Sequence, residues 1–132
     1  MKRIVVTLAL AALRGSAAAE WTLLNTSKSD GMATYIDKTS ISRKGNKVKM
    51  WYLDNYASAE VTSKGRKYLS SKGLDEFDCQ EQRRQLLEYT WYSGQMGNGE
   101  IVFSKGEPGE KRQEIVPQSI AEAMLKIACS KK

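Results

Sequence analysis

Histidine is absent from this chain of 132 residues, and its absence removes whole classes of chemistry. Histidine is the usual general base, the base of most serine and cysteine triads, and the commonest zinc ligand. Two carboxylates could still act as acid and base, and Asp75, Glu76 and Asp78 form the densest acidic stretch. Neighbouring strand residues point to opposite sides, so this stretch predicts a solvated acidic edge. The sequence therefore predicts no enzyme, no cofactor and no metal site.

Long apolar runs are also missing. The longest, Ile4–Leu13, is only half of the roughly 20 residues that a membrane-spanning helix needs. It follows a short basic start and precedes Ala17-Ala18-Ala19, which is the layout of a secretory signal peptide. A buried amphipathic helix is the alternative, but this run has no polar face. We predict cleavage after Ala19, which removes residues 1–19 and leaves 20–132 as one domain, exported to the periplasm or the cell surface. No cysteine stands there to carry a lipid.

The positive charge is modest once that segment is removed. The chain carries 21 basic and 15 acidic residues, a formal net charge of +6. Lys2, Arg3 and Arg14 leave with the signal peptide; the 21 basic residues less these three are 18, which gives a net charge of +3. A mildly basic chain is not typical of nucleic-acid binding. We therefore expect a protein partner and no nucleic acid, while the oligomeric state stays open.

Cysteine is scarce, with Cys79 and Cys129 as the only two. In an oxidising compartment such a pair favours a disulfide. The bridge would close a loop of roughly 50 residues, which the chain-entropy relation values at about 4 kcal/mol. A free, buried pair of thiols is the alternative.

The stretch from Leu74 to Glu100 predicts a β-hairpin. Leu87, Tyr89 and Trp91 alternate with Glu88, Thr90 and Tyr92, as expected of a half-buried strand. Asn98-Gly99 then predicts a tight turn, and 100–103 the returning strand. Gly94, Gly97 and Gly99 do not predict a dinucleotide-binding loop, because that loop opens a helix and here a strand follows.

The remaining patterns predict an α+β domain. Four more strands are expected, at Trp21–Leu24, Ala33–Asp37, Val48–Tyr56 and Tyr68–Phe77. Val48–Tyr56 is apolar on both faces, which favours a central strand covered on each side. One helix follows Pro117, and Ser119 with Glu122 predicts a capping box at its start. The expected fold is an antiparallel sheet of about six strands with this C-terminal helix packed on it.

The order of several short motifs resembles the surface-adhesin protein E domain family of Gram-negative bacteria. They are Tyr35-Ile36-Asp37, the Val48–Tyr56 strand with Trp51, Ser71-Lys72, Glu76-Phe77-Asp78-Cys79, Tyr92-Ser93, Met96-Gly97-Asn98-Gly99, Ile115-Val116-Pro117-Gln118-Ser119 and the closing Cys129. The resemblance implies a six-stranded antiparallel sheet, a C-terminal helix and a disulfide between them. It also implies an envelope protein that binds host extracellular proteins. A periplasmic envelope component with another partner is the alternative function.

The adjacent arginines Arg83 and Arg84 open the long strand and point to opposite sides of it. By strict alternation Arg83 shares the apolar face, whereas Arg84 shares an outward row with Glu88 and Tyr92. We therefore predict a partner-binding surface at Arg83, Arg84, Glu88 and Tyr92, centred on Arg84, because arginine and tyrosine are enriched at interfaces. The alternative is a solvated strand face on which Arg84 pairs with Glu88 or with a residue of a neighbouring strand, a pair worth under about 1 kcal/mol.

Overall fold

A computed structural model describes residues 19–27, 29, 31–108 and 112–130 of the chain. The predicted signal peptide lies outside these residues except for Ala19. The elements are β1 (Trp21–Ser27), β2 (Met32–Lys44), β3 (Lys47–Val61), β4 (Lys67–Asp78), β5 (Arg83–Tyr92), β6 (Ile101–Lys105), β7 (Gln113–Glu114) and helix α1 (Ile120–Ser130). The predicted α+β class is confirmed.

The strands form one antiparallel sheet in the order β1-β2-β3-β4-β5-β6, with β7 paired to the free end of β5. Strands β1 to β6 therefore pair with their neighbours in sequence, because short turns join antiparallel strands without a crossover. Several strands are longer than their patterns predict: β2 continues to Lys44 and β3 to Val61. Each of these two long strands is bent by a register shift, and such irregularities let a long strand curve around a core.

Helix α1 covers one face of the sheet, which we call the helix face. Its buried residues Met124, Leu125 and Ala128 pack with Ile36, Val48, Met50 and Phe77. The opposite face, the open face, carries no helix. On it Leu53 is nevertheless fully buried, and the loop of residues 93–100 crosses beside it, where the Met96 N–H donates to Asn55 Oδ1 at 2.8 Å. The predicted covering of β3 is confirmed on the helix face, whereas on the open face the loop covers only the part of β3 around Leu53 and Asn55.

The disulfide fixes α1 to the sheet. Cys79 follows the last residue of β4, and Cys129 lies in the last turn of α1, with their α-carbons 5.7 Å apart. At the other end of the helix, Ser119 Oγ accepts the N–H of Glu122 at 3.2 Å. The Glu122 carboxylate does not complete the predicted capping box; it pairs with Lys126 at 3.2 Å. The predicted bridge and helix are confirmed, and the reciprocal half of the cap is wrong.

The predicted hairpin is present, but its turn is not tight. The Ser93 N–H donates to the Glu100 carbonyl and the Gly94 N–H to the Asn98 carbonyl, so residues 93–100 form a loop around a 3₁₀ turn at Gln95–Gly97. Asn98 has φ −93°, whereas a two-residue hairpin turn needs a positive φ there.

Among the described residues, no helix is long and apolar enough to cross a membrane.

Candidate binding surface

An extra residue in β5 changes which of the predicted contact residues lie on the same face of the sheet. Leu74 pairs with Glu88 and Asp75 pairs with Leu86, so Leu87 is left over as a bulge. A bulge shifts the alternation by one residue, and Arg84 consequently pairs with Phe77 on the helix face. The predicted outward row of Arg84, Glu88 and Tyr92 is therefore wrong. Arg83 is the arginine that shares the open face with Glu88 and Tyr92.

Arg84 lies beside a buried carboxylate. Its Nε is 3.7 Å from Oδ2 of Asp75, whose side chain is fully buried. Neither carboxylate oxygen of Asp75 has a hydrogen-bond partner among the described residues. The predicted solvated acidic edge is thus wrong for Asp75, because its strand position faces the helix and not the solvent. The predicted divergence of Asp75 and Glu76 holds, since Glu76 lies on the other face.

A small cavity adjoins this pair under the start of α1. It measures about 160 Å³ and is lined by Met32, Thr34, Tyr52, Asp54, Asp75, Arg84, Ile120 and Met124. Burial raises the pKa of Asp75 to about 6, although Arg84 opposes the rise. Burial also raises the pKa of Asp54, whose Oδ1 accepts a hydrogen bond from Thr34 Oγ1 at 2.8 Å. The cavity is smaller than the pockets of about 300–1,000 Å³ that hold most ligands, so we interpret it as a buried polar cluster of the core.

The rest of the helix face, beyond α1, carries a row of contacting aromatic rings. Tyr68 stacks on Trp91 with ring centroids 4.6 Å apart, and Phe103 lies 5.1 Å from Trp91 on the other side. Tyr89 contacts both Trp91 and Phe103. The predicted alternation places Tyr89 and Trp91 on one face correctly, but these rings pack against each other rather than under the helix.

Three of the four predicted contact residues are on the open face. Arg83 is exposed there and lies 3.9 Å from the more exposed Glu114, a surface ion pair worth under about 1 kcal/mol. The ring of Tyr92 lies 5.2 Å from the Lys72 ammonium. Glu88 is half-buried between them along β5. The open face thus offers charged and aromatic groups that no secondary-structure element covers.

A groove on the open face contains residues that the sequence did not single out. It measures about 360 Å³ and is lined by Ala19, Trp21, Asp37, Trp51, Lys72, Thr90 and Tyr92. Direct pairing aligns Trp21 with Asp37 and Asp37 with Trp51, and directly paired residues point to the same face. Alternation along β3 predicts the face on which Trp51 lies. That the lining residues lie next to one another follows only from the pairing register between the strands.

The fold defines a class: a domain of one antiparallel sheet and a C-terminal helix, joined by a disulfide. The model of the surface-adhesin protein E family matches residues 21–130, which is most of the chain. The chain therefore belongs to the surface-adhesin protein E family. Family membership gives a surface or exported adhesin domain, in agreement with the resemblance noted in the sequence.

Solved structures share this fold. The structure of Haemophilus influenzae protein E has a TM-score of 0.62 at 16% identity, over 82% of this chain and 83% of that chain. Its selenomethionine form has a TM-score of 0.63 at 15% identity, over 83% and 86% of the two chains. Crystal form II has a TM-score of 0.61 at 16% identity, over 74% and 80%. Curated proteins give no match to the chain.

Proposed function

We propose that this chain is an exported adhesin whose open face binds a host extracellular-matrix protein. The observation that carries the proposal is the placement of Arg83, Glu88 and Tyr92 on one uncovered sheet face, in a domain of an adhesin family. Exposed arginine and tyrosine on a rigid sheet are typical of the residues that dominate protein interfaces. The proposal includes removal of residues 1–19, so that the domain begins at Glu20.

Each residue of the surface has a distinct role in the proposal. Among the described residues, the ion pair of the Arg83 guanidinium is a long contact to Glu114, which a two-pronged pair with a partner carboxylate can replace. The Tyr92 ring supplies apolar contact, and Glu88 supplies a charge of opposite sign that restricts which partners fit. Arg84 is not a contact residue in the proposal, because its guanidinium lies against Asp75 on the helix face.

A binding assay on single variants tests this assignment. Immobilised collagen, fibronectin and basement-membrane matrix are titrated with wild type, Arg83→Ala, Arg84→Ala and the double variant. We expect Arg83→Ala to weaken binding by roughly tenfold, the loss of one charge-assisted contact, and the double variant to bind no more weakly than Arg83→Ala alone. Unchanged binding by the double variant removes this surface from consideration.

The location of the protein separates the adhesin from a periplasmic component. An adhesin must lie outside the outer membrane, so a protease added to intact cells must reach it. The exposed turn of residues 62–66 between β3 and β4 contains Lys64 and Arg66, which are trypsin sites. We expect cleavage on intact cells at this turn and a mature N-terminus at Glu20. Protection until the outer membrane is permeabilised would favour the periplasmic alternative, and an intact Met1 would contradict export with cleavage.

A further inference from the structure

The groove on the open face has the chemistry of a carboxylate-binding site. We propose that it binds an acidic peptide segment of the protein partner, in which an aspartate or glutamate adjoins an aromatic residue. The proposal rests on the proposed protein-binding function and names the part of the partner that the groove takes. The groove shares Tyr92 with the Arg83 surface, but neither Arg83 nor Glu88 lines it.

Lys72 is the cation of this groove. Its Nζ lies 5.8 Å from the ring of Trp21 and 5.2 Å from the ring of Tyr92. Among the described residues it forms no salt bridge. An ammonium beside aromatic faces gains less at an exposed site than a paired and partly desolvated carboxylate offers. Lys72 is therefore available to an incoming anion.

Asp37 is the acid that lines the groove, and it is already engaged. Its Oδ1 accepts the Thr39 N–H at 2.9 Å and also the Thr39 hydroxyl. The Asp37 side chain is 5% exposed, so it does not compete with a ligand for Lys72. Its charge repels any anion in the groove, and it repels a doubly charged phosphate more strongly than a singly charged carboxylate. A singly charged carboxylate fits the groove better.

The aromatic side chains that line the groove indicate which uncharged group of the ligand lies next to its carboxylate. Trp21, Trp51 and Tyr92 are all half-buried, so each presents part of a ring to the groove. Aromatic side chains bind other rings by offset or edge contacts that add to the gain from their buried area. The volume of about 360 Å³ has room for a short peptide segment and not for a folded domain. An aromatic residue next to the acid would occupy the space between the rings.

The loop after β5 holds Lys72 in position. A Cβ placed on Gly97 would lie 2.4 Å from Lys72 Cε, so the loop backbone passes directly over the lysine stem. Gly97 also has φ +74°, a conformation that favours glycine. The ammonium is thus held at the groove before any ligand arrives, which lowers the entropy cost of binding. Removing residues 1–19 would take Ala19 from the rim and leave the other lining residues in place.

Matched peptides test the proposal on the exported protein. The probes are N-acetyl-Phe-Asp-Phe-amide and its neutral counterpart N-acetyl-Phe-Asn-Phe-amide, which differ by one charge at constant shape. Binding is followed by NMR through the three indole N–H signals. Trp21 and Trp51 lie in the groove, whereas Trp91 contacts Tyr68 and Phe103 on the helix face. We expect the aspartate peptide to shift the first two signals and not the third, and to bind roughly tenfold more tightly than the asparagine peptide.

Two lysine variants complete the test. Lys72→Gln is expected to abolish the roughly tenfold preference for the aspartate peptide, while Lys72→Arg, which keeps the charge, is expected to retain it. Lys49→Gln is the matched control, because Lys49 is an exposed lysine on the open face of β3 outside the groove. Equal binding of the two peptides, an effect of Lys49→Gln as large as that of Lys72→Gln, or a main response at Trp91 would each overturn the proposal. Because the peptides replace the partner, these results are independent of matrix binding.

Discussion

Lys72 and Asp75 lie three residues apart on β4 and show what the two faces of one sheet do to a charge. Asp75 faces the helix, is fully buried, and pairs with Arg84 at 3.7 Å, while the charge of Asp54 in the same cavity opposes its ionisation. Lys72 faces the open side and lies between two aromatic rings. The same strand therefore carries one charge enclosed in the core and one charge left at a surface groove.

The difference teaches that burial decides what each charge can do. A carboxylate without hydrogen bonds in the core costs several kcal/mol to ionise, and one arginine recovers only part of this cost. Asp75 therefore acts on stability and makes it depend on pH. Lys72 keeps access to water, so its charge costs little in the free protein and can be used for binding. The predictions below concern substitutions on the helix face first and on the open face last.

Replacing Phe77 by alanine should give the largest effect. Phe77 is fully buried in the cluster under α1, and Phe→Ala substitutions in a core cost about 3–5 kcal/mol. The chain supplies a matched control, because its only other phenylalanine, Phe103, is 43% exposed in the aromatic row. Phe103→Ala should cost about 1 kcal/mol, mostly ring contacts. Urea denaturation measures both, and equal losses would contradict the division into a covered and an uncovered region.

Removing the disulfide should be nearly as costly. The bridge joins residues 50 apart in sequence, and the chain-entropy relation gives about 4 kcal/mol as its upper value. The variant Cys79→Ala/Cys129→Ala should therefore unfold at lower urea concentration than the oxidised wild type. The last turn of α1 should also lose amide-exchange protection, since the bridge fixes it to β4. A loss of protection on the open face instead of in α1 would contradict the assigned role.

Asp75 should make stability fall as pH rises. Its folded pKa is about 6, against about 3.9 in an unfolded chain. The folded protein therefore binds the proton more tightly, so the stabilisation is complete below about pH 4 and is lost as pH rises to about 6. Two pKa units correspond to about 3 kcal/mol. Asp54 adds in the same direction, because burial raises its pKa as well.

The variant Asp75→Asn isolates this contribution. Asparagine has nearly the same shape and does not ionise, so the decline between about pH 4 and pH 6 should shrink by most of its size. At pH 7 the variant should be as stable as wild type or more stable. Arg84 tolerates the change because its side chain is 27% exposed and can reach water. A decline of unchanged size in Asp75→Asn would show that Asp75 is not the titrating group.

Much of the fold follows from local patterns in the sequence. The strand positions, the Ser119 half of the helix cap and the disulfide depend on neighbours a few residues away or on a single pairing, and these are found where they were predicted. The loop at 93–100 was missed in detail because Asn98-Gly99 is a common hairpin signal. Its real geometry depends on distant partners: Ser70 Oγ donates to the Gly94 carbonyl and accepts the Gly97 N–H.

The candidate site could be predicted only in part, because a one-residue shift in register moves every following side chain of the strand to the opposite face of the sheet. The bulge at Leu87 moved Arg84 to the helix face, and nothing in the sequence around Leu87 marks a bulge. Asp75 was assigned to solvent because acidic residues are rarely buried. The groove combines residues from β1 to β5, so its composition depends on the pairing of the whole sheet.

Replacing Lys72 by glutamine should have the smallest effect on stability and thereby complete the comparison with Asp75. The ammonium contacts two rings, an interaction worth about 0.5–1 kcal/mol at an exposed site. Glutamine keeps most of the stem that packs beneath Gly97, so we expect a loss below about 1 kcal/mol in urea denaturation. A change in stability of several kcal/mol would mean that Lys72 is a structural residue like Asp75. If the variant loses little stability and also loses its preference for the aspartate peptide, the charge of Lys72 serves binding. Stability and peptide binding would then respond separately to the same substitution.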